Sequence, residues 1–228
     1  MKRIPEPELM EDEAQARAYA EADFSEPHSH FIALLQAAFP PGTIKGHVLD
    51  LGCGPGDITL RVAQAWPSCT VHGVDGAAAM LQHGQQALSQ AGLGERVQFL
   101  HGRLPEVRLP REKYDVLISN SLLHHLLEPA VLWDCLKRYG VRGAPVFIMD
   151  LRRPATRHEA KALVEHYGAG EPEILQRDFF NSLLAAFEPE EVQGQLVRAG
   201  LDSLQVEVVS DRHLTISGFL APSSRGSS

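Results

Sequence analysis

The sequence predicts an α/β domain with a mostly parallel sheet, and three observations carry that expectation. From residue 46 onward, short β-rich runs alternate with helical stretches, the rhythm of parallel strands joined by helical crossovers. The first run, "VLDLGCGPGDITL", ends in a turn with three alternating glycines, where a strand hands over to a helix. The chain closes on "LQVEVVS" and "HLTISGFL", two β-rich runs joined by the short "DRH", which should pair as an antiparallel hairpin.

Taken in order, residues 11 to 38 read as one or two helices broken near "FSEPHSH". Five strands follow: "HVLDLG", "TVHGVD", "VQFLHG", "YDVLISN" and "PVFIMDL". Between them, "DITLRVAQAW", "AAAMLQHGQQALSQAG" and "PAVLWDCLKRYG" carry apolar residues at helical spacing. The first is followed by Pro67, and the others end at Gly92 and Gly140, which suits helix termination. After Asp150 the rhythm changes. Residues 155 to 187 read as two helices separated by "GAGEP", and "EPEEVQGQLVRAG" as one more before the hairpin. The tail 221 to 228, "APSSRGSS", reads as disordered. No segment repeats. The chain is expected to be a single domain over residues 1 to 228, with a core at 46 to 154, helical covers at 11 to 38 and 155 to 187, and a last helix and hairpin at 188 to 220.

Composition narrows the class. A chain of 228 residues, 44% hydrophobic and 22% charged, is an ordinary globular domain, so disordered and fibrous classes are excluded. The balance of 21 basic against 29 acidic residues, net −8, argues against a nucleic-acid partner, which needs a basic face to displace counterions. Three scattered cysteines without a C-x-x-C pair suggest reduced thiols and no metal site. No stretch approaches the ~18 apolar residues of a membrane helix, and "MKRIPEPELMEDEAQARAYA" lacks an apolar signal core. A cytoplasmic protein without a membrane partner, monomer or homodimer, is the expectation.

The glycine turn reads G-x-G-x-G, with its third glycine one residue early for the dinucleotide fingerprint. The second strand ends in Asp75, placed to accept both hydrogen bonds of a ribose diol. No phosphate-binding lysine stands in a P-loop arrangement, which disfavours a triphosphate.

"VLDLGCGPG", "VHGVDGAAAML", "YDVLISNSLLHHLLEP" and "PVFIMDLRRP" together resemble motifs one, two, four and six of the class I S-adenosylmethionine-dependent methyltransferases. The resemblance covers roughly residues 46 to 154, and the terminal hairpin agrees with the reversed last strand of that Rossmann-like fold. It implies S-adenosyl-L-methionine as cofactor and S-adenosyl-L-homocysteine as product. By the same resemblance, Gly52, Cys53, Gly54 and Gly56 would line the methionine moiety and sugar, and Asp50 would hold the ligand amino group. Asp75 would take the ribose hydroxyls, Gly76, Ala77 and Met80 would flank the adenine, and Asn120 would face the sulfonium. One departure stands in the third motif: "FLHGRLPE" places Gly102 and Arg103 where the family usually offers an aspartate to the adenine amino group.

The family has no universal catalytic triad, because the sulfonium is already activated and the protein mainly positions the reactants and excludes water. If a base is used, a histidine suits it, which makes His124 and His125 catalytic candidates alongside Tyr19. His28 and His30, in a segment expected to be extended, could share a face. Phe24 with Tyr19 could offer aromatic faces to the sulfonium or a cationic substrate. Arg152 and Arg153, after the fifth strand, could clamp an anionic substrate. Ser182, Arg212 and His213 are further substrate candidates, and Asp178 reads as a helix N-cap. The expected reaction is methyl transfer to a small molecule. A macromolecular acceptor such as tRNA or protein, or non-methylating sulfonium chemistry, stays open as the alternative.

Overall fold

A computed structural model describes residues 1–6 and 13–221. Two helices, α1 (Glu13–Glu21) and α2 (Ser25–Ala38), precede the sheet. Then come β1 (His47–Leu51), α3 (Asp57–Ala65), β2 (Thr70–Asp75), α4 (Ala78–Ala91), β3 (Val97–His101) and β4 (Val116–Asn120). A single 3-10 turn, Leu123–His125, leads to α5 (Ala130–Tyr139) and β5 (Pro145–Leu151). The chain continues with α6 (Arg157–Tyr167), α7 (Glu173–Ala185), α8 (Pro189–Ala199), β6 (Leu204–Val208) and β7 (His213–Phe219). The expected tail disorder concerns residues that, but for Ala221, lie outside those described.

The sheet has seven strands in the order β3-β2-β1-β4-β5-β7-β6. Pairings among β1 to β5 are parallel, and β7 runs antiparallel to both β5 and β6. The fold is therefore the Rossmann-like one expected. β5 is buried along its whole length, as a central strand covered on both faces should be. On one face Leu132, Trp133 and Leu136 of α5 pack with Val192 and Leu196 of α8 against the sheet. On the other, Phe31 and Leu35 of α2 join Ile58, Val62 and Leu81 from α3 and α4.

β1 lies between β2 and β4, so the chain reverses its winding direction there. The crevice above the carboxyl ends of β1 and β4 is the place an open α/β sheet reserves for ligands. The connections that rim it are the glycine turn after β1, the start of α4 after β2 and the 3-10 turn after β4.

The break between the first two helices falls at Ala22–Phe24, where Asp23 Oδ1 accepts from Ser25 N at 2.9 Å and turns the chain. Pro27 sits in the first turn of α2, where its missing N–H has no partner to lose. His28 and His30 are consequently helical, correcting the extended segment expected: residues two apart on a helix point to different sides.

Candidate active site

The turn after β1 is built by glycines with different tasks. Gly52 and Gly54 have φ of 72° and 53°, a region that favours glycine. A Cβ on Gly54 would meet nothing within 4 Å, because that position opens onto a cavity. A Cβ on Gly52 would strike the Leu122 side chain at 2.7 Å. Gly56, also at positive φ (83°), would meet the Phe99 ring at 2.2 Å and does not line the cavity. The expectation that Gly56 lines a ligand is corrected: its missing side chain lets α3 start against Phe99.

Around this first cavity stand Asp50, Gly52, Cys53, Gly54, Asp75, Gly76, Ala77, Met80, Gly102, Arg103 and Asn120. The carboxylate of Asp75 is held from both sides, accepting from Gly54 N and Ala77 N at 2.8 Å each. Burial raises its pKa above the usual carboxylate value. Asp50 is more deeply placed. Its Oδ2 accepts from Thr59 Oγ1 at 2.6 Å while Oδ1 is buried with no hydrogen-bond partner. Burial pushes its pKa up to about 7. Asn120 Oδ1 is likewise buried without a partner. Orphaned acceptors of this kind at one end of a cavity match a ligand that brings N–H donors.

A second cavity opens beside the first, and the two share Tyr19, His28, Asn120, Ser121 and His125 as lining residues. Ser121, immediately beyond β4, is the one non-glycine at positive φ (55°) among the described residues, a costly conformation for a residue with a Cβ. The second cavity is walled by the N-terminal part of α2, by α7, and by the 3-10 turn, with Phe24, His124, Ser182, Arg212 and His213 facing it. Tyr19 stacks on Phe24 at 4.7 Å and Phe24 on His28 at 5.4 Å. Burial pushes the Tyr19 hydroxyl up to about 12, so it stays protonated at neutral pH. The ring of His28 pairs with Asp57 Oδ2 at 2.5 Å.

The two adjacent histidines separate in role. His124 Nδ1 lies 2.6 Å from Asp150 Oδ1, at the end of β5, while its ring sits 4.2 Å from that of His125. Burial works against a charged His124, but Asp150 and Glu6 outweigh it and hold its pKa above the ordinary histidine value. Glu6 is reached by His124 Nε2 at 3.6 Å, by His125 Nδ1 at 3.2 Å and by Ser182 Oγ at 2.9 Å. His213 goes the other way: burial, then the neighbouring Arg212, depress its pKa to about 4, so it is neutral at physiological pH. Arg212 lies over the Tyr167 ring at 3.2 Å and beside Asp211.

Three expectations change here. Arg152 points at the hairpin, donating Nε–H to the Asp211 carbonyl at 3.1 Å. Arg153 is buried against α8, with Nη2 2.9 Å from Glu191 and 3.0 Å from Glu188. Neither lines either cavity, because β7 pairs with β5 along its length and the chain after it turns down to meet Phe187. Asp178 is in the middle of α7, whose N-cap is Pro172. It accepts from Gln15 Nε2 at 2.8 Å, tying α7 to α1. Glu6 and Asp150 were not anticipated. Asp150 had a signal, an acidic residue at the carboxyl end of a central strand. Glu6 had none, since nothing in "KRIPEPEL" marks it off from its neighbours.

Residues 48–140 match the family model described as "Methyltransferase domain". An uncharacterized methyltransferase of Mycobacterium bovis is 30% identical over 129 residues, 57% of this chain and 61% of that protein. A trans-aconitate 2-methyltransferase of Azoarcus is 35% identical over 106 residues, 46% of this chain and 39% of that one. The chain thus spans about three fifths or less of the length of these relatives. Among solved structures, a SAM-dependent methyltransferase from Aquifex aeolicus superposes with a TM-score of 0.65 at 18% identity, covering 92% of this chain and 99% of that one. That likeness is one of fold.

Proposed function

We propose that the chain is a class I S-adenosylmethionine-dependent methyltransferase and that it methylates a small-molecule acceptor held in the second cavity. The observation that carries this reading is the junction of the two cavities at Asn120, Ser121 and His125, at the carboxyl end of β4. The residues around the first cavity fit S-adenosylmethionine. Asp75 would accept from the ribose hydroxyls, while Asp50 and the Asn120 oxygen, both with unpartnered atoms, would accept from the ligand ammonium. When bound, the cofactor supplies a methyl group on a positively charged sulfur, ready for in-line displacement.

The chain's own work is then positional. Asn120 and the strained Ser121 set the opening through which the acceptor faces the methyl group. Tyr19, Phe24 and His28 close the opening with aromatic surface and keep water out. His124, oriented by Asp150, and His125 are the groups that meet the acceptor heteroatom and manage its proton. Arg212 and His213 at the far wall give the cavity polar recognition sites. The trans-aconitate methyltransferases among the relatives favour a small acceptor, and the net charge of −8 disfavours nucleic acid.

Isothermal calorimetry tests the cofactor half of this reading. The chain should bind S-adenosylhomocysteine with one site, and Asp75→Ala should weaken it by about 30- to 100-fold, the loss of charge-assisted hydrogen bonds worth roughly 2–3 kcal/mol. Wild-type protein that binds neither S-adenosylmethionine nor S-adenosylhomocysteine would overturn it. Radiolabelled methyl transfer to small carboxylate, hydroxyl and thiol acceptors, set against bulk tRNA and protein, tests the acceptor half.

A further inference from the structure

We propose that Glu6, His124 and His125 form a divalent transition-metal site in the wall of the acceptor cavity, beside its junction with the cofactor cavity. The site itself follows from side-chain geometry; only its use in methyl transfer rests on the function proposed above. One ligand atom from each of the three residues falls within 4.8 Å of the other two. Glu6 Oε1 is the hub, 3.6 Å from His124 Nε2 and 3.2 Å from His125 Nδ1. Two donors each 2.0–2.1 Å from a tetrahedral zinc-type ion stand about 3.4 Å apart. The observed spacings bracket that value, so an ion can enter with shifts of a few tenths of an ångström. The third edge, His124 to His125, is no longer than 4.8 Å, so closing it on an ion is the larger adjustment.

The donor set also fits. Two imidazoles and one carboxylate are a borderline combination suited to zinc and its first-row neighbours, with positions left for water or a substrate atom. All three side chains are sheltered, with exposures of 3% for His124, 11% for Glu6 and 14% for His125, so this is no solvated acidic patch.

The surroundings hold the ligands as outer-shell groups hold metal ligands. Asp150 Oδ1 accepts from Leu151 N and its Oδ2 from Leu123 N, which fixes the carboxylate as an acceptor. The 2.6 Å contact with His124 must then be Nδ1–H donating to Asp150, which leaves Nε2 as the atom aimed at Glu6. Ser182 Oγ donates to the same oxygen of Glu6. Arg3 secures the backbone on both sides, donating to the carbonyls of His124, Leu126 and Ala185. A neutral Nε2 and a carboxylate oxygen facing each other repel unless something positive lies between them. Either a proton or a metal ion can do that, and a metal titration separates the two.

Within the methyl-transfer reading, a metal here would replace His124 as the means of handling the acceptor's proton, since it would occupy the free ring nitrogen. It would bind the acceptor through an oxygen or sulfur and favour its deprotonated form at the mouth of the cofactor cavity. The acceptor class it selects is a small molecule with a metal-ligating hydroxyl, thiol or carboxylate.

The test uses the full chain, stripped with a chelator and titrated with Co²⁺ and Zn²⁺. One equivalent of Co²⁺ should produce the visible ligand-field absorption of a low-coordinate site with nitrogen ligands, and Zn²⁺ should displace it at one equivalent. Glu6→Gln and His125→Asn should each weaken Zn²⁺ binding at least 10-fold, while far-ultraviolet circular dichroism shows both variants folded as the wild type is. No saturable metal binding, or binding unchanged in both variants, overturns the site and leaves the proton as the bridging charge. Metal binding in a chain that fails to bind S-adenosylhomocysteine would keep the site and overturn the methyl-transfer reading instead.

Discussion

Asp50 places an acidic group where water cannot reach it, with Thr59 as the one partner of its carboxylate. Its pKa rises from 3.8 to about 7, and the direction of the consequence follows from proton counting. Between pH ~4 and ~7 the native state keeps a proton that the unfolded chain has already released. Stability of the ligand-free protein therefore falls as pH rises across that window, by at most about 4 kcal/mol. Asp50→Asn should flatten this slope in urea melts at pH 5 and pH 8. The ligand side has the opposite sign. An ionised Asp50 attracts the ammonium of S-adenosylhomocysteine, so the affinity of the wild type should rise from pH 6 to pH 8, with proton release at pH 6 seen by calorimetry in buffers of different ionisation enthalpy. An affinity independent of pH in the wild type would show that Asp50 does not meet the ammonium. This residue was readable in the sequence as the last acid of an apolar run before the glycines. Glu6 was not, because its place depends on where the N-terminal segment returns across α7, which no local pattern records.

The glycine turn and the helix it starts show what spacing can and cannot say about an element. The G-x-G-x-G pattern was legible as a ligand turn, but it does not distinguish a glycine that faces a ligand from one that makes room for a side chain. Gly54 faces open space, whereas Gly56 makes room for Phe99 of β3. Gly56→Ala would place a methyl group 2.2 Å from that ring and a Cβ at φ 83°. It should cost roughly 2–4 kcal/mol of stability, read as a lower melting temperature, since both overpacking and backbone strain contribute. A melting temperature within a degree of the wild type would mean that α3 and β3 slide apart freely. The strands were legible for a simple reason: parallel strands covered on both faces are continuous apolar runs, and β5 is buried throughout. The arginines after it were misjudged because the antiparallel arrival of β7 decides where Arg152 and Arg153 point, and that is a long-range event. The same holds for Asp178: with Pro172 as the N-cap of α7, the acid lies nearly two turns too deep to cap it.

At the scale of the molecule, the sheet and its covers divide the labour between stability and access. The two large apolar clusters draw on α2 to α5, α8 and the strands, and neither contains a described residue from positions 1 to 22. The first helix packs elsewhere. Ala16 lies on Ala77 and Met80, over the expected adenine site, Gln15 reaches Asp178 of α7, and Tyr19 lines both cavities. This arrangement would let α1 act as a cover that the ligand helps to hold down, since a segment with few buried apolar contacts opens at low free-energy cost. A chain that starts at residue 23 should therefore still unfold in one cooperative thermal transition. Its affinity for S-adenosylhomocysteine should drop by roughly 10-fold or more, because a ligand left open to solvent forfeits about 1.4 kcal/mol of contacts for each factor of ten. In the full chain, amides of residues 13–28 should gain hydrogen-exchange protection on adding that ligand, more than those of β4 or β5, which are protected already. If the shortened chain binds as tightly as the full one, or exchange in 13–28 is indifferent to ligand, then α1 is not a cover and the acceptor must enter and leave by moving α7 instead.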